Sequence, residues 1–186
     1  MQKKLIIFFL LISTVSFAEP RVRPSDWATP VIGTELKNLY RVDTEVYRSE
    51  QPEEDGFKIL KKFGVGEILN LRQYHSDNDD AEGSGLTLYR VSIDTGSISE
   101  AHLIKALTII KNRKAPVLVH CWHGSDRTGA VIAAYRIIYN NWTKEKAIDE
   151  MKNGGFGYHA KIYPNIVELI EKLDISGIKK ELGVKP

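Results

Sequence analysis

A thiol, a guanidinium group and a hydroxyl lie within eight consecutive residues of this chain. Cys121 is its only cysteine, Arg127 follows six positions later, and Thr128 comes immediately after. A thiolate is a strong nucleophile, and an arginine can donate two parallel hydrogen bonds to neighbouring oxygens of a phosphate group. The spacing favours attack of Cys121 on phosphorus over the alternative, a cysteine that only fills a buried strand end.

Two predicted elements flank these residues and would hold them in place. Residues 116–120 (PVLVH) are apolar and β-branched, which predicts a buried strand, and residues 128–139 are almost wholly apolar after Gly129, which predicts a buried helix. The segment between them therefore leads from a strand end into a helix start. Backbone N–H groups at a helix start have no intrahelical partner, and the helix dipole places its positive end there. Such a turn can therefore bind a phosphate dianion.

The residues of this turn would line a phosphate-binding cradle. Gly124 would let the backbone bend inward without a Cβ, and the positive field would favour the thiolate of Cys121. Thr128 could donate a hydrogen bond to the sulfur and ease its departure in a second step. The predicted phosphate-binding residues are Trp122, His123, Gly124, Ser125, Asp126 and Arg127.

The segment 120–129 (HCWHGSDRTG) resembles the signature loop of the cysteine-dependent tyrosine and dual-specificity phosphatases, His-Cys-x5-Arg-Ser/Thr-Gly. Residues 47–52 (YRSEQP) and 64–72 (GVGEILNLR) are similar to the opening of the compact atypical dual-specificity branch. Residues 154–159 (GGFGYH) are similar to bacterial members of that branch. The resemblance extends over about residues 40–173. It implies the α/β cysteine-phosphatase fold, with neither a metal ion nor a cofactor.

A phosphatase of this kind needs an acid that protonates the leaving oxygen, and two aspartates are candidates. Asp94 follows a predicted strand; because strand ends converge at one edge of a parallel sheet, it should share a face with the cradle. The resemblance also implies an acid from a comparable loop. Asp126 lies inside the cradle instead, as in myotubularin-type and Sac-type lipid phosphatases, which this arrangement resembles. Asp94 could merely start a turn and Asp126 could merely tie the loop; we favour Asp94 as the acid.

Predicted strands alternate with predicted helices along the chain. This alternation favours a single three-layer α/β domain with a mainly parallel central sheet flanked by helices. Residues 39–175 would form the domain and residues 176–186 a C-terminal tail. The polar segment 73–85 is expected to be a solvated loop, although its acidic residues would also permit calcium binding.

Residues 1–18 are predicted to be a secretory signal peptide. Lysines precede an apolar run at 5–12, and SFA at 16–18 supplies the small residues that a signal peptidase requires. The alternative is an uncleaved N-terminal anchor. Residues 19–38, which contain three prolines, would form an extended arm. We therefore expect a periplasmic or secreted protein with no stable membrane insertion after cleavage.

The composition gives no indication of a nucleic-acid partner. The chain has 26 basic and 24 acidic residues, and removal of the two leader lysines makes these numbers equal. The basic residues are also scattered along the sequence. We expect a monomer that acts on phosphorylated protein, lipid or inositol phosphate. The leading interpretation is a phosphomonoester hydrolase of the tyrosine/dual-specificity type; phosphoinositide or inositol-phosphate hydrolysis by the same chemistry, and a non-catalytic phosphate-binding module, are the alternatives.

Overall fold

Six strands form one sheet in the computed structural model, which describes residues 22–185. Their bounds are Thr29–Pro30 (β1), Tyr40–Arg41 (β2), Val46–Ser49 (β3), Glu67–Arg72 (β4), Thr87–Ile93 (β5) and Val117–His120 (β6). Their spatial order is β1-β2-β3-β6-β4-β5. Strands β3, β6, β4 and β5 are parallel, whereas β1 and β2 pair antiparallel at one edge. The prediction of a mainly parallel sheet is confirmed.

The described residues contain six α-helices, which cover both faces of the sheet. Their bounds are Glu54–Lys62 (α1), Glu100–Asn112 (α2), Asp126–Tyr139 (α3), Lys144–Asn153 (α4), Pro164–Lys172 (α5) and Ile175–Glu181 (α6). Helix α1 packs on one face, where Phe57 contacts the cluster that contains Leu118. The other helices pack on the opposite face, where Val117 and Val119 join the larger core. This alternation along β6 gives the predicted three layers.

Helix α3 lies in the interior and fixes the position of the segment that precedes it. Its residues are buried at nearly every position, because an apolar surface on all sides of a helix must be covered by other elements. Helices α2, α4, α5 and α6 all pack against it. The N-terminus of α3 is thereby held beside the carboxyl end of β6, as the sequence predicted.

Both ends of the described chain, residues 22–38 and 176–185, pack against the rest of the domain. Within the predicted arm, β1 pairs with β2 and so joins the sheet. Within the predicted tail 176–186, most of α6 forms, and Ile178 and the following Leu182 are buried in the larger core. These apolar residues lie four positions apart, a helical spacing. The predicted signal peptide 1–18 and the first residues of the arm lie outside the described residues.

A buried ion pair anchors the described part of the arm. Nη2 of Arg136 lies 2.8 Å from Oε1 of Glu150, and both side chains are almost fully buried. The same carboxylate accepts the amide hydrogen of Ala28 at 2.6 Å, while Arg136 donates to the carbonyl of Asp26. The arm therefore closes the end of the domain rather than trailing from it. Within residues 22–185, no helix has both the length and the apolar character needed to cross a membrane.

Candidate active site

Cys121 directly follows β6, at the edge of the sheet where the parallel strands end. Ser49 ends β3, Arg72 ends β4 and Ile93 ends β5 at this same edge. Cys121 is only 2% exposed. The topology therefore gathers groups from four strand ends around a buried thiol, as expected for a site at the carboxyl edge of a parallel sheet.

The carbonyl groups of residues 122–124 point away from the loop interior, and each accepts a hydrogen bond from a different segment. The donors are the backbone N–H of Gln51 to Trp122 O at 2.9 Å, Nδ2 of Asn38 to His123 O at 2.8 Å, and Nη2 of Arg48 to Gly124 O at 2.6 Å. In a trans peptide the C=O and the following N–H point in opposite directions, and every peptide bond in the described residues is trans. The amides of residues 123–125 must therefore point into the loop.

Gly124 is required by a close backbone approach as well as by its conformation. Its φ is +69°, in the left-handed region that glycine adopts without penalty. A Cβ at this position would lie 2.2 Å from the carbonyl oxygen of Ser49, which is backbone and cannot rotate away. Any larger residue would displace the loop from β3. The predicted role of Gly124 in bending the loop thus has a specific steric cause.

A buried arginine supports the loop from behind. Arg48 is 1% exposed, and its guanidinium lies 3.7 Å from the ring centroid of Phe156. Burial lowers the pKa of Arg48 to about 10, while the negative charge of Glu150 acts in the opposite direction. The side chain therefore stays protonated at neutral pH. Its position between β3 and the residue 154–159 segment explains why an arginine in the motif YRSEQP is buried.

Arg127 and Thr128 present polar atoms that the protein itself leaves unpaired. Nη1 of Arg127 donates to Ile93 O at 3.3 Å, which ties the first turn of α3 to the end of β5. Within residues 22–185, Nε of Arg127 and Oγ1 of Thr128 are buried without a hydrogen-bond partner. Unpaired buried donors are costly, so they are expected where a ligand is bound. Both atoms fit the predicted contacts to phosphate and sulfur.

A cavity of about 420 Å³ opens beside the phosphate loop. It is lined by Arg72, Gln73, Tyr74, His75, Asp94, Thr95, Trp122 and Arg127. Arg72 stacks on the half-exposed ring of Trp122, with 4.1 Å between guanidinium carbon and ring centroid. Burial, and secondarily the positive charge of Arg127, lowers the pKa of Arg72. Two arginines in one cavity favour an anionic ligand.

The two candidate acids lie in different surroundings. Asp94 lines the cavity, is exposed, and accepts a hydrogen bond from Ser97 Oγ at 3.0 Å. Asp126 is buried and does not line the cavity. Its carboxylate accepts the backbone N–H of His159 at 2.9 Å and lies 2.9 Å from Nδ1 of the same residue. Asp126 therefore ties α3 to the segment 154–159, whereas Asp94 is placed where a leaving group could reach it.

Comparison with known families agrees with this geometry. Residues 42–141, more than half of the chain, match the family model described as "Polymorphic toxin system, DSP-PTPase phosphatase". The chain belongs to this DSP-PTPase family. The resemblance inferred from the phosphate loop is thereby confirmed, and the fold and the loop can be described as those of a DSP-type phosphatase domain.

Relatives of this DSP-PTPase domain include bacterial and yeast proteins. The dual specificity protein phosphatase TpbA of Pseudomonas aeruginosa is 34% identical over 124 residues, which are 64% of this chain and 56% of TpbA. The inositol diphosphatase SIW14 of Saccharomyces cerevisiae is 28% identical over 152 residues, 76% of this chain and 54% of SIW14. The chain thus spans about half the length of the curated relatives it matches.

Solved structures share the DSP-PTPase architecture over a larger part of the chain. The crystal structure of P. aeruginosa TpbA superposes with a TM-score of 0.78 at 26% identity, covering 87% of this chain and 99% of that chain. A second structure holds a cysteine-to-serine variant of TpbA in complex with pTyr, and it superposes equally well. The two proteins therefore share the same overall fold.

Sequence reasoning missed Asp77, which supports the DSP-PTPase site. Asp77 lies in the segment 73–85, which was expected to be solvated, yet it is only 4% exposed. Its carboxylate accepts hydrogen bonds from Asn70 at 2.8 Å and Gln51 at 3.0 Å, and lies 2.9 Å from Nε2 of His120. Nδ1 of His120 in turn lies 3.2 Å from the carbonyl oxygen of Cys121. The segment 73–85 thus directs one carboxylate inward, and this carboxylate of Asp77 fixes the orientation of His120, the residue before Cys121.

Asp77 should make the stability of the protein depend on pH. Burial alone would raise its pKa, but the hydrogen bond and charge of His120, together with the hydrogen bond from Gln51 and the charge of His75, outweigh burial, so the net pKa lies below its ordinary value of 3.8. A carboxyl whose pKa is lowered by folding stabilises the protein above its unfolded pKa and loses this contribution as pH falls through its folded pKa. Wild type should therefore have a higher Tm than Asp77→Asn at pH 7, and the difference should begin to shrink below about pH 4, near the unfolded pKa, and continue to fall as pH passes through the lower folded pKa.

The measurement is a melting series from pH 7 to pH 3 on both proteins. The exposed neighbour Asp79 supplies the control, since Asp79→Asn removes a carboxylate from the same segment without touching His120. A Tm difference for Asp77→Asn that stays constant over the whole series would contradict the predicted linkage.

Substitution of Asp94 and of Asp126 should show which of the two carboxyl groups is the general acid. Asp94→Asn should reduce hydrolysis of phosphotyrosine peptide or alkyl phosphate by on the order of a hundredfold, because these leaving groups need a proton. It should affect an activated aryl phosphate much less, because that leaving group is stable as an anion. Steady-state kinetics on both substrate types provide the measurement, with Asp126→Asn as the parallel variant. If Asp126→Asn showed the leaving-group dependence and Asp94→Asn did not, the assignment would reverse.

Proposed function

We propose that the protein is a phosphomonoester hydrolase of the protein tyrosine/dual-specificity type that acts through a cysteinyl-phosphate intermediate. The observation that carries this proposal is the loop that follows Cys121: hydrogen bonds from Gln51, Asn38 and Arg48 hold its carbonyl groups from outside and leave the amides of residues 123–125 directed inward, while Arg127 lines the adjacent cavity. Amides fixed before the ligand arrives need not reorient during reaction, so they stabilise charge on the transferring group efficiently.

The proposed reaction has two displacement steps. The thiolate of Cys121 attacks phosphorus and forms an S–P bond as the ester P–O bond breaks, and Asp94 gives its proton to the departing oxygen. Water then attacks the phosphocysteine, Asp94 takes the proton, and the S–P bond breaks to release inorganic phosphate. Arg127 holds two phosphate oxygens in both steps. The Thr128 hydroxyl donates to the sulfur as it leaves.

Phosphorylated protein is the first proposed substrate class. The relatives named above support it, because TpbA is a dual specificity protein phosphatase and one TpbA structure contains pTyr. The cavity beside the loop is open and has the exposed aromatic side chains of Tyr74 and Trp122 at its lining. A phosphotyrosine side chain could enter with its ring between them.

A phosphorylated inositol or inositol lipid is the second candidate. Its support is the pair Arg72 and Arg127, which would offer a second cation to a substrate that carries more than one phosphate. The relation to the inositol diphosphatase SIW14 points the same way. A carboxylate inside the loop would repel a highly anionic substrate, but that of Asp126 accepts the backbone N–H of His159 and lies against its ring, which reduces this repulsion.

The test is a substrate panel on the purified protein, with phosphotyrosine peptides, phosphoserine peptides, inositol phosphates and inositol lipids. We expect release of phosphate from at least one class, inhibition by vanadate and no loss of activity with EDTA. Absence of turnover on every class, with retained phosphate binding, would favour the non-catalytic module. Activity lost on chelation and restored by zinc or magnesium would contradict the metal-independent mechanism.

We also propose that the protein is exported. It would act as a monomer, with residues 22–185 forming one phosphatase domain, and it would not bind nucleic acid. The lysine, apolar and small-residue pattern of residues 1–18 supports cleavage after Ala18. Protein isolated from its native host should then begin at Glu19 and lie in the periplasmic or secreted fraction. Intact-mass measurement checks this prediction, and a cytosolic species that retains Met1–Ala18 would refute it.

A further inference from the structure

Asn38 has an unusual backbone conformation beside the phosphate loop. Its φ is +53°, a left-handed value that only one other non-glycine residue, Asn141, shares among residues 22–185. Asn38 itself is half-buried, and its neighbours Leu36 and Leu39 are buried in the smaller core. Asparagine tolerates this conformation better than most residues, yet the packing on both sides keeps it there. The side-chain amide is therefore held in a fixed direction.

The amide group of Asn38 joins two loops that are distant in sequence. Nδ2 donates to the carbonyl oxygen of His123 at 2.8 Å and to the carbonyl oxygen of Phe156 at 3.0 Å. Both hydrogens of the NH₂ group are thus used, and only a nitrogen can face two carbonyl oxygens. Phe156 O also accepts the hydroxyl hydrogen of Ser125 at 2.7 Å. Asn38 is therefore connected to the phosphate loop twice: directly through His123 O, and indirectly through Phe156 O, which Ser125 of the loop also contacts.

The peptide between His123 and Gly124 is the part of the loop that most needs such a restraint. Gly124 lacks a Cβ and can adopt many backbone conformations, so a flip of the preceding peptide would be easy. After a flip, the amide of Gly124 would point outward and the carbonyl of His123 would point into the cradle. An inward carbonyl would repel a phosphate dianion instead of binding it. The bond from Asn38 to His123 O opposes this flip.

We propose that Asn38 is a positioning residue of the active site, which keeps the Gly124 amide directed at the phosphate. This inference rests on the proposed phosphatase function and extends it to a residue outside the matched family region 42–141. Asn38 does not touch the substrate. It acts through the orientation of one peptide, so its loss should weaken anion binding and turnover together while leaving the fold intact.

Asn38→Gly tests the proposal because glycine keeps the left-handed backbone and removes only the side-chain amide. Asn141→Gly is the matched control: Asn141 has a φ of +55°, lies beyond the C-terminus of α3, and accepts a hydrogen bond from Lys179. We expect Asn38→Gly to bind vanadate and to hydrolyse para-nitrophenyl phosphate, measured as kcat/KM, about tenfold less well than wild type. Asn141→Gly should match wild type in both, and the two variants should lose similar amounts of Tm.

Asn38→Asp provides a second test with an almost unchanged shape. Its carboxylate would face two carbonyl oxygens, so it should lower vanadate affinity at least as much as Asn38→Gly. Wild-type vanadate affinity and kcat/KM in either folded variant would overturn the proposal. Failure of both variants to fold would also overturn it, because Asn38 would then act on stability. A wild-type protein that neither binds vanadate nor hydrolyses any ester would instead refute the proposed function itself.

Discussion

Cys121→Ser should abolish turnover, with a loss of at least about a hundredfold in kcat, while binding of inorganic phosphate persists. A serine hydroxyl is un-ionised at neutral pH and attacks phosphorus far more slowly than a thiolate. The cradle, in contrast, does not depend on the sulfur, because its carbonyl groups are held by Gln51, Asn38 and Arg48. The change replaces one small buried atom by another and should leave the fold unaltered.

Two measurements on the same preparation check this prediction. Steady-state hydrolysis of para-nitrophenyl phosphate gives the loss of kcat, and calorimetric titration with inorganic phosphate gives the affinity of the intact cradle. Covalent cysteine catalysis would be wrong if the serine variant kept more than about a hundredth of wild-type activity. Loss of phosphate binding together with a lower Tm would show instead that the sulfur is needed for packing.

Arg127→Lys should reduce kcat/KM by roughly a hundredfold or more, although the formal charge is unchanged. The guanidinium donates to Ile93 O through Nη1 and has a buried, unpaired Nε left for a ligand. A lysine ammonium is a point charge that cannot form the planar pair of hydrogen bonds to two phosphate oxygens. It would also be drawn toward the carbonyl of Ile93 and away from the cradle.

Arg72→Lys serves as the control for charge, since Arg72 lines the same cavity but stacks on Trp122 at its wall. We expect a smaller loss for Arg72→Lys with a monophosphate substrate, mainly in KM. Separate kcat and KM values for the two variants decide the matter. A larger loss at Arg72 would mean that Arg72, and not Arg127, holds the transferring phosphate. Equal losses would mean that the two arginines share this role and would contradict the assignment to Arg127 alone.

Much of the domain could be predicted from local sequence patterns. The apolar run before Cys121 forms β6, and the apolar segment after it forms α3, because both are buried on all sides and their composition reflects this. Thr143 caps α4, with its hydroxyl accepting the amide hydrogen of Lys146, and threonine is one of the residue types preferred at this position. The alternation of strands and helices then favoured a three-layer arrangement with a mainly parallel sheet.

Elements without a long apolar pattern escaped this reasoning. Strand β1 has two residues, too few for any periodicity, and α6 has seven residues with a single strongly buried side chain, Ile178. Both are stabilised by contacts with distant parts of the chain. Tertiary packing, which a single sequence does not display, is what decides such short elements.

The supporting groups of the site were hidden for the same reason. Asn38 and Arg48 contact the phosphate loop across sequence separations of 85 and 76 residues, and neither is marked by a local pattern. Asp77 stands among other acidic residues, so its charge looked like that of a solvated loop. The spacing of side chains along a sequence indicates only which face of a helix or strand is buried. It does not indicate which side chain will donate a hydrogen bond to a backbone carbonyl in a distant loop.

The outward carbonyl groups of residues 122–124 make the chemistry of the thiol conditional on completed folding. Their three donors come from the first third of the chain, and the loop comes from the last half, so loop closure over a long stretch must precede assembly of the cradle. A partly folded chain has an ordinary cysteine with no ring of amides around it. We therefore expect reactivity toward phosphate only after these distant segments have assembled around the loop.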